Sequence, residues 1–265
     1  MMAPSRRSEN GFSLVELMVA MVIALILIAG VLQILLGNRE SFRFQQNMAT
    51  LQENSRLATF LIENVVAHAG YRADLGANPF HGAEAESTRG VSITRDAVVG
   101  GNTADSQNDV LRIRFQAAGG VHDCQGREIG EGGTTPTYET ADVDLYVNDQ
   151  NTLLCADNTG EGNLIPQPVI EHVERFKIRY GVDINGDKST DTYTNAPPTD
   201  PDRAVVSLRI QMLLRSESNV LSTPIRRTYS FADGDSFTTT VDTPADDRHA
   251  YQLIDQLIAL RNVLP

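Results

Sequence analysis

The first part of the chain carries two hydrophobic patterns, one after the other. Residues 12–36 read FSLVELMVAMVIALILIAGVLQILL, and the strongly polar residues among them are Ser13, Glu16 and Gln33. A helix of this length would span about 38 Å at about 1.5 Å per residue, whereas the hydrocarbon core of a bilayer is about 30 Å thick. The pattern predicts a membrane-spanning helix. The alternative, a buried core helix, is rarely apolar on every side over such a length.

After residue 36 the apolar positions narrow to one face of a helix. From residue 44 they recur at intervals of three, four and seven, which is the spacing of an amphipathic helix. No proline occurs between residues 4 and 79, so we expect one continuous helix from about Phe12 to about Ala69, with Gly70 at its C-terminal cap. The predicted inner face comprises Phe44, Met48, Leu51, Ala58, Ile62 and Val65, flanked by Leu57, Leu61 and Val66, and the outer face carries Arg39, Glu53, Arg56 and Glu63.

A two-residue alternation of apolar and polar side chains replaces the helical period beyond residue 108. Alternation gives each strand one apolar and one wet face, which favours antiparallel sheets with one solvated side. Residues 71–108 are rich in Gly, Asn, Asp and Ala and predict a long loop with one short strand at Val91–Ile93. The apolar spacing of residues 251–264 would suit a helix. The clearest alternating runs are residues 110–115, 143–147, 176–182, 206–214 and 227–231.

These elements predict an α+β fold in which one long N-terminal helix packs on an antiparallel β-sheet head. With 265 residues, 41% hydrophobic and 21% charged, the chain is too apolar for a disordered or collagen-like protein. Its formal net charge of -12 argues against nucleic-acid binding, because phosphate contacts need clustered Lys and Arg.

The residues that precede the apolar segment indicate its orientation. Arg6 and Arg7 lie in a short polar leader, and positive charge on that side predicts a cytoplasmic N-terminus with an exported remainder. A secretory signal would place small residues of the A-x-A type after the apolar stretch, but none follows Leu36. Gly11 instead stands before the stretch.

Glu16 is the acidic residue of the apolar segment. A carboxylate at the centre of a bilayer costs about 2.5–3.5 kcal/mol on insertion scales, so such a group normally has a partner. Two interpretations remain open from the residues alone. Glu16 either lies hydrated near the lipid headgroups or meets a positive charge from another chain.

Cys124 and Cys155 enclose 30 residues that include a glycine-rich run. In an exported protein this pair favours a disulfide, which would contribute about 3–4 kcal/mol in the chain-entropy description. Two free buried thiols are the alternative.

One acidic segment is similar to the start of a calcium loop. Oxygen ligands could come from Asp183, Asn185, Asp187 and Asp191. However, Lys188 and Thr194 stand where an EF-hand needs its glycine and its bidentate glutamate. A hairpin turn at Asn185-Gly186 accounts for the same residues more simply.

Catalytic motifs are missing from the sequence. It contains neither G-x-S-x-G nor H-E-x-x-H, and its five histidines share no metal-ligand spacing. Gly186-Asp187-Lys188-Ser189 departs from a phosphate-binding loop, because Asp187 separates the glycine from the lysine. We therefore expect neither enzymatic activity nor a cofactor.

The segment Gly11-Phe12-Ser13-Leu14-Val15-Glu16-Leu17 resembles the processing signature of type IV prepilins and type II secretion pseudopilins. The resemblance implies that a membrane peptidase cuts between Gly11 and Phe12 and methylates the new N-terminus. It also implies that Glu16 pairs with the N-terminal amine of a neighbouring subunit during assembly.

Further segments resemble the PilW-like minor pilins, namely residues 31–39, 51–57, 69–71, 180–183 and 259–265. This resemblance implies a type IV pilin-like fold with a last strand at Leu257–Val263. It also implies a structural, low-abundance subunit that primes pilus assembly or belongs to a tip complex, in pili that serve twitching motility or cell adhesion. The alternative is a GspJ-like minor pseudopilin of type II secretion, and an adhesin or DNA-uptake module is a third possibility.

The resemblance also implies a division of the chain and a set of partners. Residues 1–11 would be the leader peptide, 12–36 the transmembrane and assembly half of the helix, 37–70 its amphipathic half, and 71–265 a periplasmic or extracellular head. The expected partners are other minor and major pilins, the prepilin peptidase, the inner-membrane assembly platform and, before assembly, lipid. The protein would span the inner membrane once and then join the pilus fibre at the cell surface.

Overall fold

The computed structural model describes residues 13–74, 91–95, 98–99, 102–103, 107–122, 124, 126, 128–130, 138–157, 166–198, 200 and 203–262. The chain divides into two compact units, Met1–Gln46 and Asn47–Pro265.

The predicted long helix is present as α1 (Leu14–Ala67). Its last turn tightens, because the N–H of Ala69 donates to the carbonyl of Val66 and not to the residue four positions back. Gly70 follows with a φ of 70°, a left-handed conformation that glycine adopts without strain, so the chain leaves the helix where the sequence predicted. The predicted start at Phe12 lies outside the described residues.

The rest of the described chain is made of β-strands and their connections. The strands are β1 (Val91–Arg95), β2 (Val98–Val99), β3 (Asn102–Thr103), β4 (Asp109–Ala117), β5 (Val121–His122), β6 (Glu128–Ile129), β7 (Glu139–Val147), β8 (Leu153–Asp157), β9 (Gln167–Ile170), β10 (Val173–Asp183), β11 (Thr192–Thr194), β12 (Ala204–Arg215), β13 (Thr228–Ser230), β14 (Ser236–Thr238) and β15 (Tyr251–Ala259).

Two antiparallel sheets contain the long strands. The first sheet has the order β1-β4-β7-β8-β9 and the second has the order β11-β10-β12-β15. Short two-stranded ribbons are formed by β2 with β3, β5 with β6 and β13 with β14. This α+β architecture, with one long N-terminal helix and antiparallel sheets, confirms the predicted fold class.

The second half of α1 packs on the sheets through small and branched side chains. Leu51, Ser55, Ala58, Ile62 and Val66 are buried, at the helical spacing of three and four residues. The sequence predicted Leu51, Ala58 and Ile62 on this face and missed Ser55, whose hydroxyl donates a 2.8 Å hydrogen bond to the carbonyl of Leu51. Val66 is buried more fully than Val65, which was predicted at the centre of the face.

The two sheets are joined by side chains as well as by their common core. The N–H of Phe176 in β10 donates to the side-chain oxygen of Asn108 at 2.6 Å, and the N–H of Ile178 donates to Asp109 at 2.8 Å. Asn108 and Asp109 are buried at the start of β4. Their side chains therefore accept hydrogen bonds from backbone N–H groups of β10, along the part of its edge where none of the described strands pairs with it.

The expectation of one wet sheet face is wrong for the second sheet. Residues on the outer side of β12, such as Gln211 and Leu213, are buried. The ribbon of β13 and β14 covers this side, because Leu213 clusters with Tyr229, Phe231 and Phe237. Lys177 in β10 is buried under the same cover, where it pairs with Asp233 and Asp235.

The C-terminal segment forms a strand, and it begins earlier than predicted. β15 runs from Tyr251 to Ala259, whereas the family resemblance suggested Leu257–Val263. Ile254 and Ile258 face the core while Asp255 and Leu257 are exposed, so pairing with β12 has overridden the helical spacing of these residues. The predicted short strand at Val91–Ile93 is confirmed as β1, and residues 75–90 of the predicted loop lie outside the described residues.

Candidate assembly site

Glu16 lies in the first turn of α1 and takes part in capping the helix. Its backbone N–H donates a 3.2 Å hydrogen bond to the hydroxyl oxygen of Ser13, and the N–H of Leu17 donates to the Ser13 carbonyl at 3.2 Å. Ser13 is therefore the N-cap residue. The spacing Ser-x-x-Glu is that of a capping box, and this signal in the sequence offers a local role for Glu16 that the motif alone did not suggest.

The N-terminus of α1 is a favourable place for an acidic side chain. The first turn of a helix carries a partial positive charge, which stabilises a nearby carboxylate. The Glu16 side chain is exposed in the isolated chain. A helix dipole contributes about 0.3–1 kcal/mol at exposed sites, which is less than the cost of placing a carboxylate at the centre of a bilayer. A partner charge or continued hydration is still required.

The apolar surface that follows Glu16 has no cover within the described chain. Every large apolar side chain from Leu14 to Leu36 is exposed, from 51% at Leu35 to 76% at Leu14. The helix is long and apolar enough to cross a membrane by length and composition. Such a surface is stable only in lipid or against other apolar helices.

The predicted processing residues Gly11 and Phe12 lie outside the described residues. The cut between them therefore stays a prediction. Ser13, the first described residue, is the N-cap, so the helix begins directly beyond the predicted cleavage position.

A disulfide joins Cys124 and Cys155, whose Cα atoms are 6.2 Å apart. Cys155 is fully buried in β8, whereas Cys124 is exposed between β5 and β6. The bond ties Cys124, between the short strands β5 and β6, to β8 of the first sheet. This confirms the disulfide that the sequence favoured over two free thiols.

The acidic loop closes the hairpin between β10 and β11. Asp183 accepts the N–H groups of Asn185 at 3.1 Å, Gly186 at 2.7 Å and Lys188 at 2.8 Å, and Asp191 accepts the N–H of Ile184 at 2.7 Å. These carboxylates therefore bind backbone donors within the turn. The hydrogen bonds that Asp187 accepts from the hydroxyl and the N–H of Ser189 lower the pKa of Asp187 below the ordinary value of an aspartate.

The weak calcium candidates Asp183, Asn185, Asp187 and Asp191 all lie at this hairpin turn, which the sequence analysis preferred as the simpler interpretation. Gly186 has a φ of 81° and Lys188 a φ of 68°, which is the left-handed backbone of a tight turn. Within the described part of the chain, no group of three or more His, Cys, Asp and Glu residues is arranged to hold a metal ion.

Other clusters of titratable groups join elements of the fold. Tyr251 donates a 2.7 Å hydrogen bond to Asp247, and Asp247 also contacts His249. Burial and this bond raise the pKa of Tyr251 above its ordinary value. On the other sheet, Arg112 forms a bidentate pair with Asp144 at 2.7 Å, which raises the pKa of Arg112. These pairs link strands or loops to one another, which is a structural role.

Comparison with known proteins identifies two matching sequence families. Residues 6–32 match the prokaryotic N-terminal methylation motif, and residues 139–262 match the family described as Type IV pilus-assembly protein W. No curated protein matches the chain. Among solved structures, a type IV-like pilin from Thermus thermophilus is 18% identical, and the overlap covers 81% of this chain and 98% of that one with a TM-score of 0.46.

Proposed function

Because this chain is a PilW-like type IV pilin, we propose that it is a structural minor pilin that acts in the priming or tip complex of type IV pili. The family implies a membrane-anchored protein that associates with other pilins and with the processing machinery. The observation that carries a role in assembly is an apolar helix surface, exposed from Leu14 to Leu36, with one acid in its first turn.

The proposal assigns a function to each part of the chain. Residues 1–11 are the leader, which the prepilin peptidase removes between Gly11 and Phe12. Residues 12–36 anchor the protein in the inner membrane and later pack against other pilins. Residues 37–70 are the half of the helix that carries the head, and residues 71–265 are the head. The leader faces the cytoplasm, the head is exported, and the assembled subunit lies in the pilus at the cell surface.

Glu16 sets the axial position of the subunit in this proposal. The amine created at Phe12 of one subunit meets Glu16 of the next, in surroundings of low dielectric constant where opposite charges attract strongly. A buried carboxylate without a partner is costly, so the packing offset that pairs the charges is favoured over neighbouring offsets. The capping bond between Ser13 and Glu16 is compatible with this role, since it uses the backbone N–H of Glu16 and leaves its carboxylate available.

The experiment separates the charge of Glu16 from its place in the cap. Glu16→Gln keeps a capping-box side chain but removes the charge, whereas Ser13→Ala removes the cap and keeps the charge. We expect Glu16→Gln and Glu16→Ala to accumulate normally in the membrane but to be depleted from purified pili, while Ser13→Ala is incorporated. Normal incorporation of Glu16→Gln would reject the charge pairing.

A deletion strain tests the choice of machinery. We expect loss of the protein to abolish or reduce twitching motility while type II secretion continues. The opposite phenotype, in which secretion fails and surface pili are normal, would favour the GspJ-like alternative.

A further inference from the structure

We propose that the free edge of β15 and the adjacent face of α1 form a docking groove for an extended strand of another protein, and that this strand is acidic at its ends. The inference goes beyond the assembly role of Glu16, because all its residues lie in the unit Asn47–Pro265. Each of the two proposals can therefore fail without the other.

β15 lies at an edge of its sheet and offers backbone hydrogen-bonding groups there. It is the last strand of its sheet and pairs with β12 on one side, and none of the described strands pairs with its other side. The N–H of Leu260 donates to Val206, so the even-numbered residues face β12. Because backbone groups alternate along a strand, those of Leu253, Leu257 and Ala259 point to the open edge.

This edge lacks the features that normally prevent strands from pairing. β15 is nine residues long and contains neither Pro, Lys nor Gly, and its one charge, Asp255, is paired with Arg209 at 2.6 Å. The other described edges are shorter: β11 has three residues, β1 has five, and β9 has four, which include Pro168. Leu257 is 62% exposed on the open strand. β15 is thus the edge best suited to accept a strand.

A groove runs along the open edge, between β15 and α1. One section has a volume of about 600 Å³ and is lined by Arg56, Phe60 and Glu63 of the helix and by residues 252–254 of the strand. The next section, of about 370 Å³, shares Phe60 and Glu63 and extends to Leu257 and Arg261. We call these two sections together the edge groove. Phe60 is 61% exposed at its centre.

The charges of the edge groove alternate along its length. One face of the helix carries Arg56, Phe60 and Glu63 in succession. Arg56 and Glu63 are seven residues apart, which is about 10 Å along the helix axis. Arg261 lies at the far end beside Ala67. None of these three charged residues forms an ion pair within the described chain.

This order of charges selects the chemistry of the incoming strand. All strand pairs in the two sheets are antiparallel, so we take the same orientation for the incoming strand. The incoming strand would then begin near Arg261 and end near Arg56. Acidic residues at these two ends would face the two arginines. Between them, a basic residue would face Glu63 and an apolar residue would pack on Phe60. Alternate residues of a strand share a face, so the pattern is acid-x-base-x-apolar-x-acid.

Charge complementarity also argues against a second copy of this chain as the occupant. The strand β15 reads YQLIDQLIA and carries one charge, so it cannot supply the two acids and one base that the groove favours. Pairing of β15 with β15 of a second copy is therefore disfavoured, and we take a strand from a different protein as the occupant.

The binding experiment uses the full-length protein in neutral detergent micelles and two fluorescent peptides of opposite charge order. The matching probe is Asp-Thr-Lys-Thr-Val-Thr-Asp, and the control is Lys-Thr-Asp-Thr-Val-Thr-Lys. The protein has a formal charge of -12, so its long-range field favours the control. We expect fluorescence anisotropy at low salt to show tighter binding of the matching probe by about tenfold. Equal binding, or preference for the control, would overturn the proposal.

Variants of the groove provide a reciprocal test. Reversing all three charges, with Arg56→Glu, Glu63→Arg and Arg261→Glu, should reverse the preference between the two peptides. Leu257→Lys should weaken binding of the matching probe at least about fivefold. Val241→Lys is the control and should leave this binding unchanged, because Val241 is 59% exposed outside the groove. Unchanged binding by both the triple variant and Leu257→Lys would place the peptide elsewhere.

Amide exchange distinguishes strand pairing from other binding in the same groove. Saturation with the matching probe should slow hydrogen exchange at Leu253, Leu257 and Ala259, and a probe with proline before its valine should not. Unchanged exchange at these amides would reject strand pairing. A dimer of the protein that Leu257→Lys disrupts and that excludes the probe would instead show that the occupant is a second copy, and would also overturn the proposal.

Discussion

The side-chain amide of Asn262 donates a 2.9 Å hydrogen bond to the carbonyl oxygen of Ala67, the last residue of α1. The same amide donates to Ala69 at 3.1 Å. The last carbonyls of a helix have no partners within the helix, so Asn262 caps α1 from a position 195 residues later in the chain.

Replacement of Asn262 should destabilise the protein by loss of this cap. Asn262→Ala is expected to lower the free energy of unfolding by about 1 kcal/mol, and Asn262→Asp by more, because a carboxylate cannot donate and is repelled by the helix C-terminus. Urea unfolding of the full-length protein in detergent measures both. Asn64→Ala, on the exposed helix surface, is the control. Wild-type stability of Asn262→Asp would show that the cap contributes nothing.

Buried Lys177 should stabilise the cover on the second sheet. Its ammonium lies 2.8 Å from Asp235 and 3.5 Å from Asp233, and the Lys177 and Asp233 side chains are 3% and 1% exposed. Lys177→Met leaves a buried carboxylate without this cation and should lower the free energy of unfolding by about 3 kcal/mol. The double variant Lys177→Met/Asp233→Asn should recover part of the loss in urea unfolding. Additive effects of the two changes would contradict a direct interaction between these residues.

Asp255 should make stability dependent on pH in the acid range. The hydrogen bond from Arg209 lowers the pKa of Asp255 in the folded protein, whereas the unfolded chain has the ordinary value of about 3.9. The unfolded state therefore binds protons first, so this contribution is complete above about pH 4–5 and is lost as the pH falls through the folded pKa. We expect Asp255→Asn to show a smaller fall in melting temperature between pH 7 and about pH 3 than the wild type. An identical fall in both proteins would contradict the assignment.

The acidic turn should fold without calcium. Asp183 and Asp191 accept backbone N–H groups inside the turn, so a cation would have to replace bonds that are already made. We expect calcium at millimolar concentration to produce no heat in calorimetry and no change in melting temperature. A saturable heat that Asp187→Asn weakens would instead support the calcium hypothesis from the sequence.

Local patterns in the sequence were sufficient for the elements with a strong period. Helix α1 follows from its apolar spacing, and β12 follows from the alternation of residues 206–214. The pattern failed where long-range contacts decide the environment. Leu213 and Lys177 are buried because the β13–β14 ribbon folds over them, which no local period encodes.

The candidate site shows the same division. The sequence identified Glu16 and the apolar helix because both are local features. The capping role of Ser13 was also present in the spacing Ser-x-x-Glu. By contrast, the bonds from β10 to Asn108 and Asp109 join residues about 70 positions apart, and only the folded chain brings them together.

The most direct test of the account is the mass of the mature N-terminal peptide, taken from the protein in purified pili and in membranes. The account predicts a chain that begins at Phe12 with a methylated amine and lacks residues 1–11. A protein in pili or membranes that retains these residues, or that begins beyond the apolar segment, would contradict it.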